Sequence, residues 1–428
     1  FTIPSGATIT NAGTASGFGA TGAVSWDTSS IKTAGFTATS GIGYFCNTTS
    51  GGFTVTLPLS PSAGDVVGVS DYAKTWDTGN LTLGRNGSNI GGGADDAILA
   101  TEGLAVTLVY VDGTKGWIVT DSGLQSDAPG PLFVTATGGT PCSGAIDGDY
   151  KVHSFTGPGA LCISCAGNAA GSNTVDYLVI AGGGGAGHGD GTTDEKGGGG
   201  GGGGYLASYP NPATGGHPVT ATPYGITVGG GGTGGPVTAV IATQGASSIF
   251  STITSAGGGR GGQNHPTAFI GGDGGSGGGG SGGGPNAGGS GNTPPVSSPS
   301  NPVQGFDAGN GVADDAAPGF SAGGGGGGGS AVGANGTPSC GGNGGAGFTS
   351  CITGSPVGRG GGGAGSAGGA GGTATNGGGG GAGCSPSTSA VAGTVNTGGG
   401  GGAGGTNAGA GAGAGGGSGI VVIRYKFQ

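Results

Sequence analysis

Lys196–Leu206 reads KGGGGGGGGYL, eight consecutive glycines bounded by Lys196 and Tyr205. Glycine loses more backbone freedom on folding than any other residue, so such a run is either unfolded or part of a fold made by the backbone itself. The habit recurs in AGGGGAG from Ala181, VGGGGTGG from Val228, AGGGGGGGS from Ala322, NGGGGGAG from Asn376 and TGGGGGAGG from Thr397. Collagen requires glycine at every third position and abundant proline. These runs break that register, and 22 prolines in 428 residues are ordinary, so collagen is excluded. Disordered chains carry high net charge and few apolar anchors. Here only 7% of residues are charged and apolar stretches bracket the runs, which favours order.

A backbone fold follows from geometry. Without Cβ, glycine adopts the polyproline-II helix, with three residues per turn and about 3.1 Å rise. Its N–H and C=O groups all point outward and must find partners when buried. Neighbouring glycine helices supply them because no side chain holds the backbones apart, and Cα–H···O contacts add a weaker set. Ordering costs about 1–2 kcal/mol per residue, so a lone rod does not hold and a bundle is required. KGGGGGGGGYL is expected to be one rod of a polyglycine-II lattice, ending at Lys196 and Tyr205.

The rest of the chain is strand-like, giving an all-β class. FTVTLP from Phe53, DVVGVSD from Asp65, NLTLGR from Asn80, LAVTLVYVD from Leu104 and GWIVTD from Gly116 alternate at period two. Asn86-Gly87 and Asp112-Gly113 supply turn chemistry. They predict an antiparallel sandwich or prism with Phe53, Val55, Leu57, Val106, Leu108 and Val119 facing its core. YLVI at 177–180 and IVVI at 420–423 are continuous apolar runs, hence strands buried on both faces. They flank the glycine tracts and predict one small β scaffold from which the tracts project and return. The expected divisions are an N-terminal β segment or fibre connection at 1–36, a β module at 37–121 and a linker at 122–131. A scaffold with the first glycine runs follows at 132–256, the bundle with its loops at 257–418 and a closing strand at 419–428. FSTITSAGGGRGG from Phe250 and FTSCITGSPVGRGGGG from Phe348 echo one another. Phe250/Ile253 and Phe348/Ile352 would be anchors, with Arg260 and Arg359 in like roles.

Chemistry-bearing motifs are sparse. The net charge of −10 and ten Lys+Arg without a cluster exclude nucleic acid. No apolar run approaches the roughly 20 residues of a membrane span. Cys162 and Cys165 form CISC, but neither a second pair nor suitably spaced histidines complete a zinc knuckle, so buried thiols or a bridge are expected. Cys340 and Cys351 bracket a short glycine segment and are the expected disulfide. Asp190, Asp194 and Glu195 lack Ca²⁺-loop spacing and read as a solvated acidic loop. ADDA at Asp95/Asp96 and Asp314/Asp315 lacks the aromatic groove of a glycosidase, the three tryptophans all lying before the linker at 122–131. No cofactor, metal or enzymatic activity is expected.

Two stretches resemble a known family. The closing GGSGIVVIRY with the upstream DYKVHSFT and NTVDYLVIAGGGG resembles the glycine-rich domain of tail-fibre and other structural proteins of marine bacteriophages. GYFCNTTSGGFTVTLPLSPSAGDVVGVSDYA and the strands after it resemble a β module of phage fibres. The lattice is similar in principle to adhesins at the tips of long tail fibres of T-even-like phages, where loops joining polyglycine-II helices contact the host. The resemblance implies a virion tail fibre, extracellular on the particle, assembled as a homotrimer and displaying a host-attachment tip. Its implied partners are other virion proteins, joined through a removed or preceding N-terminal part, and a host surface glycan or outer-membrane protein. A head fibre or capsid decoration, a bacterial surface filament and a polysaccharide-degrading spike are the alternatives. Recognition must come from segments that interrupt the featureless rods. The richest is Gly291 to Phe320, stiffened by prolines, with Phe306, Asp307, Asp314, Asp315 and Phe320 as candidate contacts.

Overall fold

The computed structural model describes residues 24–124, 131–169, 171–189, 196–209, 216–237, 240–263, 269–299, 301–313, 321–384, 387–405 and 411–428. These residues contain strands and no helix, and the chain divides into two compact units between Gly130 and Pro131.

In the first unit the strands are β1 (Ser25–Lys32), β2 (Phe36–Thr37), β3 (Ile42–Cys46), β4 (Phe53–Thr56), β5 (Val66–Asp71), β6 (Leu81–Gly84), β7 (Ala97–Leu99), β8 (Leu104–Asp112) and β9 (Gly116–Leu124). They form two sheets, ordered β1-β3-β5-β8-β9 and β2-β4-β6-β7. The expected antiparallel sandwich is corrected here. β1, β3 and β5 run parallel, as do β2, β4 and β6, and only β7, β8 and β9 pair antiparallel. The cause is that the chain alternates between the sheets. From β2 to β5 each strand is the crossover between two strands of the opposite sheet, so the chain returns in the same direction, whereas β6 and β7, like β8 and β9, follow one another within one sheet and pair antiparallel. β1 and β2 belong to these sheets, which joins the described part of 1–36 to the module. Val55, Leu57, Leu81, Leu108, Trp76 and Trp117 fill the core, and Phe53 packs against it. Val119, expected inside, is 48% exposed, because β9 is an edge strand whose outer half leaves the core. Asn86 and Gly87 take φ of 48° and 89°, the turn geometry their residue types favour.

In the second unit β10 (Val134–Thr137), β13 (Gly159–Ala166), β17 (Pro223–Thr227), β18 (Ser248–Phe250) and β19 (Ile253–Ser255) form one sheet. The other is ordered β11 (Thr140–Asp147), β12 (Tyr150–Phe155), β24 (Ile420–Lys426), β14 (Thr174–Ile180) and β15 (Tyr205–Ala207), with β16 (His217–Pro218) also on β14. Hairpins β20 (Phe348–Ser350) with β21 (Val357–Arg359) and β22 (Gly383–Cys384) with β23 (Ser387–Thr388) stand apart. The two apolar runs pair directly, Tyr177 opposite Ile423 and Ile180 opposite Ile420. Tyr177, Val179, Val421 and Ile423 face a core between the sheets, with Phe250 and Leu161. Leu178, Ile180 and Val422 face the other side, where Tyr205 and Ile352 cover them. Central β14 and β24 therefore read as unbroken hydrophobic runs because both faces are covered.

The glycine tracts leave this scaffold and return to it. Rod 181–189 starts at the end of β14, and rod 196–204 runs back into β15. The N–H groups of Ala181, Gly184 and Gly187 donate to Gly204, Gly201 and Gly198. Those of Gly182 and Gly185 donate to Ala246 and Thr243, and those of Gly183 and Ala186 to Gly417 and Ala414. Each N–H thus serves one of three antiparallel rods in rotation, the three-residue period of a polyproline-II helix. The carbonyls of the same rod accept from three parallel rods, through Gly258 and Gly261, Gly232 and Gly235, and Gly401 and Gly404. These bonds measure 2.8–3.1 Å. None of the glycines 182–189 or 197–204 has a positive φ.

This packing explains the composition. A Cβ on Gly200 would lie well under 3.0 Å from the Gly184 carbonyl oxygen, closer than real Cβ atoms come. Alanines do enter the bundle, and several bond to one another through the backbone: Ala186 donates to Ala414, Ala403 to Ala364 and Ala382 to Ala403. On the surface the restriction lifts, and an added Cβ at Gly230 meets nothing within 4 Å.

Candidate functional site

An interior whose N–H and C=O groups are paired rod to rod leaves no group free for chemistry. Function in this unit must therefore sit at rod ends, on outward positions or in the scaffold. The candidate segment Gly291 to Phe320 is divided by the fold. Asn292 and Thr293 donate to Gly275 and Gly274 at the scaffold end, where Gln304 bonds to Ala256 and Pro294. Residues 305–311 then form a rod, in which Phe306 N–H donates to Gly328, Gly309 to Gly325 and Gly311 to Asn286.

Phe306 and Asp307 lie on that rod. Phe306 is half-buried and its carbonyl accepts from Gly277, while exposed Asp307 accepts Gly291 N–H at 2.8 Å. Asp314, Asp315 and Phe320 lie outside the described residues, as do Asp190, Asp194 and Glu195. Among the described residues no group of His, Cys, Asp and Glu is arranged to hold a metal. Asp96 accepts the Arg85 N–H, which ties the first ADDA to a turn.

The cysteine pairing is corrected. Cys340 and Cys351 are both free and exposed. Residues 341–347 between them run as a rod, with Gly341 donating to Ala370, Gly342 to Gly323 and Gly345 to Gly326. Seven residues at about 3.1 Å rise span roughly 20 Å, so the two thiols sit at opposite ends of the bundle. Cys162 and Cys165 are also free, and Cys162 is exposed. A bulge in β13 sets Cys162 opposite Thr137 and Cys165 opposite Thr135, so both lie on the outward face of the strand, where neither is bridged and Cys162 is not the buried thiol expected.

Arg260 and Arg359 do not share a role. Arg260 lies on a rod and reaches the Ile270 carbonyl at 3.4 Å, whereas Arg359 closes the β20–β21 hairpin and is buried. The hairpin residues Phe250 and Ile352 are both fully buried, in the two separate scaffold cores.

Sequence reasoning missed an apolar surface at the rod ends away from the scaffold. Val237, Val240, Ile241, Phe269 and Ile270 are all exposed large hydrophobics. Gln263 ties part of it together, donating to the Val240 carbonyl at 3.0 Å and accepting from Ala242 N–H at 3.0 Å. Ser281 anchors Phe269 through its backbone N–H and its hydroxyl. The available signal was PVTAVIA from Pro236, an apolar triplet between glycine runs with no alternation to make it a core strand.

The scaffold carries a second polar feature. Arg424 pairs with Asp147 and lies 4.4 Å from the Tyr150 ring centroid and 5.6 Å from that of Tyr209. Beside it, burial pushes the Asp176 carboxyl up from its ordinary value, against the opposing Ser208 hydrogen bond and the Arg424 charge. Tyr150, Asp176 and Arg424, with Asn173, Thr174 and Lys426, line a cleft of about 300 Å³.

A family model described as a glycine-rich domain matches residues 163–426, from β13 to the end of β24. No curated protein matches the chain.

Proposed function

The chain belongs to the glycine-rich domain family, and we propose that it is a non-enzymatic virion structural protein, a bacteriophage tail fibre that holds host-contacting segments on a rigid glycine bundle. The observation that supports this reading is the six-neighbour bonding of rod 181–189. Such an interior fixes rod ends in place while leaving them free to vary, which is the division between scaffold and recognition loops expected of an attachment module. Stiff supports also reduce the entropy lost when their loops bind.

In this reading the contacts come from the rod ends remote from the scaffold. They include the exposed Val240, Ile241, Phe269 and Ile270, and the sequence adds Asp314, Asp315 and Phe320 as candidate contacts. A host surface glycan or outer-membrane protein is the target, and a homotrimer provides stiffness along the fibre axis. Antibodies against the chain should decorate the ends of tail appendages on intact particles viewed by electron microscopy. Decoration of capsids or of cellular filaments would overturn the tail-fibre reading.

A further inference from the structure

The cleft on the scaffold's closing strand holds two opposite charges that do not pair. In the β14–β24 pairing Asp176 stands directly opposite Arg424, and in the β12–β24 pairing Tyr150 stands opposite Lys426. Opposed residues share a face, as do residues two apart on one strand. Tyr150, Asp176, Arg424 and Lys426 therefore rise from one face of the sheet. They sit at its end away from the rods, which leave after Ile180 and return before Ile420.

Opposite charges set face to face across a sheet ordinarily attract. Here buried Arg424 turns instead to Asp147, and its guanidinium lies 4.4 Å from the Tyr150 ring centroid. The ion pairs among the described residues are Lys32–Asp27 and Arg424–Asp147, so Asp176 and Lys426 have none. Asp176 accepts one hydrogen bond, from the Ser208 hydroxyl at 2.9 Å. Burial pushes its carboxyl up from the ordinary value, the mark of a carboxylate short of water and of a cation. The Lys426 ammonium lies 5.7 Å from the Phe133 ring centroid.

The cleft lined by these groups measures about 300 Å³, at the lower end of small-ligand sites. A simple cation drawn to Asp176 would also face Lys426 and Arg424, and a simple anion drawn to Lys426 would face Asp176. A ligand carrying both charges answers both. Asp176 and Lys426 occupy diagonal positions on neighbouring strands, about 7–8 Å apart. Two charge-assisted hydrogen bonds of about 2.8 Å, with the short span between the ammonium and carboxylate of an α-amino acid, cover that diagonal. We propose that this cleft binds a free α-amino acid, its ammonium on Asp176 and its carboxylate on Lys426. The site does not depend on where the chain is displayed.

The test is titration of the full chain with L-alanine by calorimetry. Ethylamine and propionate, which carry one of its charges each, and D-glucose, which carries hydroxyls alone, are the controls. L-Alanine should bind at least about tenfold more tightly than any of them. O-phosphoethanolamine separates an amino acid from a zwitterionic lipid headgroup and should bind more weakly than L-alanine. Asp176→Asn keeps an oxygen for the Ser208 hydroxyl, and Lys426→Gln changes a half-buried position. Each should weaken L-alanine about tenfold with the melting temperature of the second unit retained. No L-alanine binding at tens of millimolar, equal binding of any control, tighter binding of phosphoethanolamine, or binding unchanged in either folded variant would overturn the proposal.

Discussion

The two units solve the same problem with opposite materials. In the first, the interior is side chain: Trp76, Trp117, Leu57, Leu81, Leu83 and Leu108 are essentially without exposure. Each such residue is worth about 1.5–3 kcal/mol by removal from water. In the glycine bundle the interior is backbone, and the favourable terms are hydrogen bonds of about 0.5–1.5 kcal/mol net each. Those sit against an ordering cost of similar size per residue. A side-chain core therefore tolerates the loss of one member, whereas the lattice holds only when every interior rod is saturated. The comparison also separates how the units read in sequence. A hydrophobic core announces itself by periodicity, and a lattice announces itself by what is missing.

The largest expected effect is at the centre of the lattice. Gly200 donates to Gly401 and accepts from Gly363, and its Cβ position is occupied by the Gly184 carbonyl. Gly200→Val should abolish soluble, folded second unit, read as loss of the protease-resistant 131–428 fragment. A soluble and protease-resistant Gly200→Val chain would refute the backbone-core account. Next in size is Leu81→Ala in the first unit, which should cost about 2–5 kcal/mol. Calorimetry of the full chain should show only the first unit's transition moving down. Movement of both transitions would show that the units are not energetically separate.

How much of this was readable depends on residue type. KGGGGGGGGYL announced a rod because eight glycines admit few ordered alternatives, and YLVI and IVVI announced buried strands because no polar residue interrupts them. The parallel course of β1, β3 and β5 was not readable. Alternation fixes which face is buried, and gives no direction until the partner strand is known. The position of Phe306 was hidden for a related reason. Its segment is rich in loop-forming residues, yet 305–311 lie on a rod whose outward positions accept side chains. Cys340 and Cys351 are close in sequence, and only the rod between them shows that they are far apart. The echo singled out Arg359 but not its burial, which comes from the hairpin's pairing.

A smaller effect separates the units by pH. All four histidines follow residue 150 and so belong to the second unit. His153 is fully buried, with its Nδ1 2.7 Å from the Gly138 carbonyl, and burial pushes its pKa below the ordinary value of 6.5. Burial lowers His217 likewise. For a base held neutral in the fold, the unfolded chain takes up the proton first. Stability of the second unit should therefore fall as pH drops below about 6.5, and level off once the folded histidines protonate. His153→Gln should reduce the slope, and an unchanged slope would remove His153 as its source. In the first unit burial pushes the Cys46 thiol up to about 12, so native Cys46 should resist alkylation at pH 8 while exposed Cys142 reacts.

The smallest effect tests the lattice most finely, by two adjacent glycines on one surface rod. Gly230 and Gly231 are both exposed, and neither has a positive φ. They differ only in where a Cβ would point. At Gly230 it meets nothing within 4 Å, while at Gly231 it runs into the carbonyl of Gly416. The Gly230 carbonyl accepts from Ala246 N–H at 2.9 Å, a bond that a methyl on the outer face leaves intact. Gly230→Ala should be neutral or stabilise by about 0.4–1 kcal/mol, because alanine restricts the unfolded chain more than glycine does. Gly231→Ala forces two backbones apart and should cost about 1–3 kcal/mol. The melting temperature of the second unit measures both. If the two variants melt together, the surface rods do not keep the three-residue phase seen inside, and the lattice ends one layer further in than the hydrogen bonds indicate.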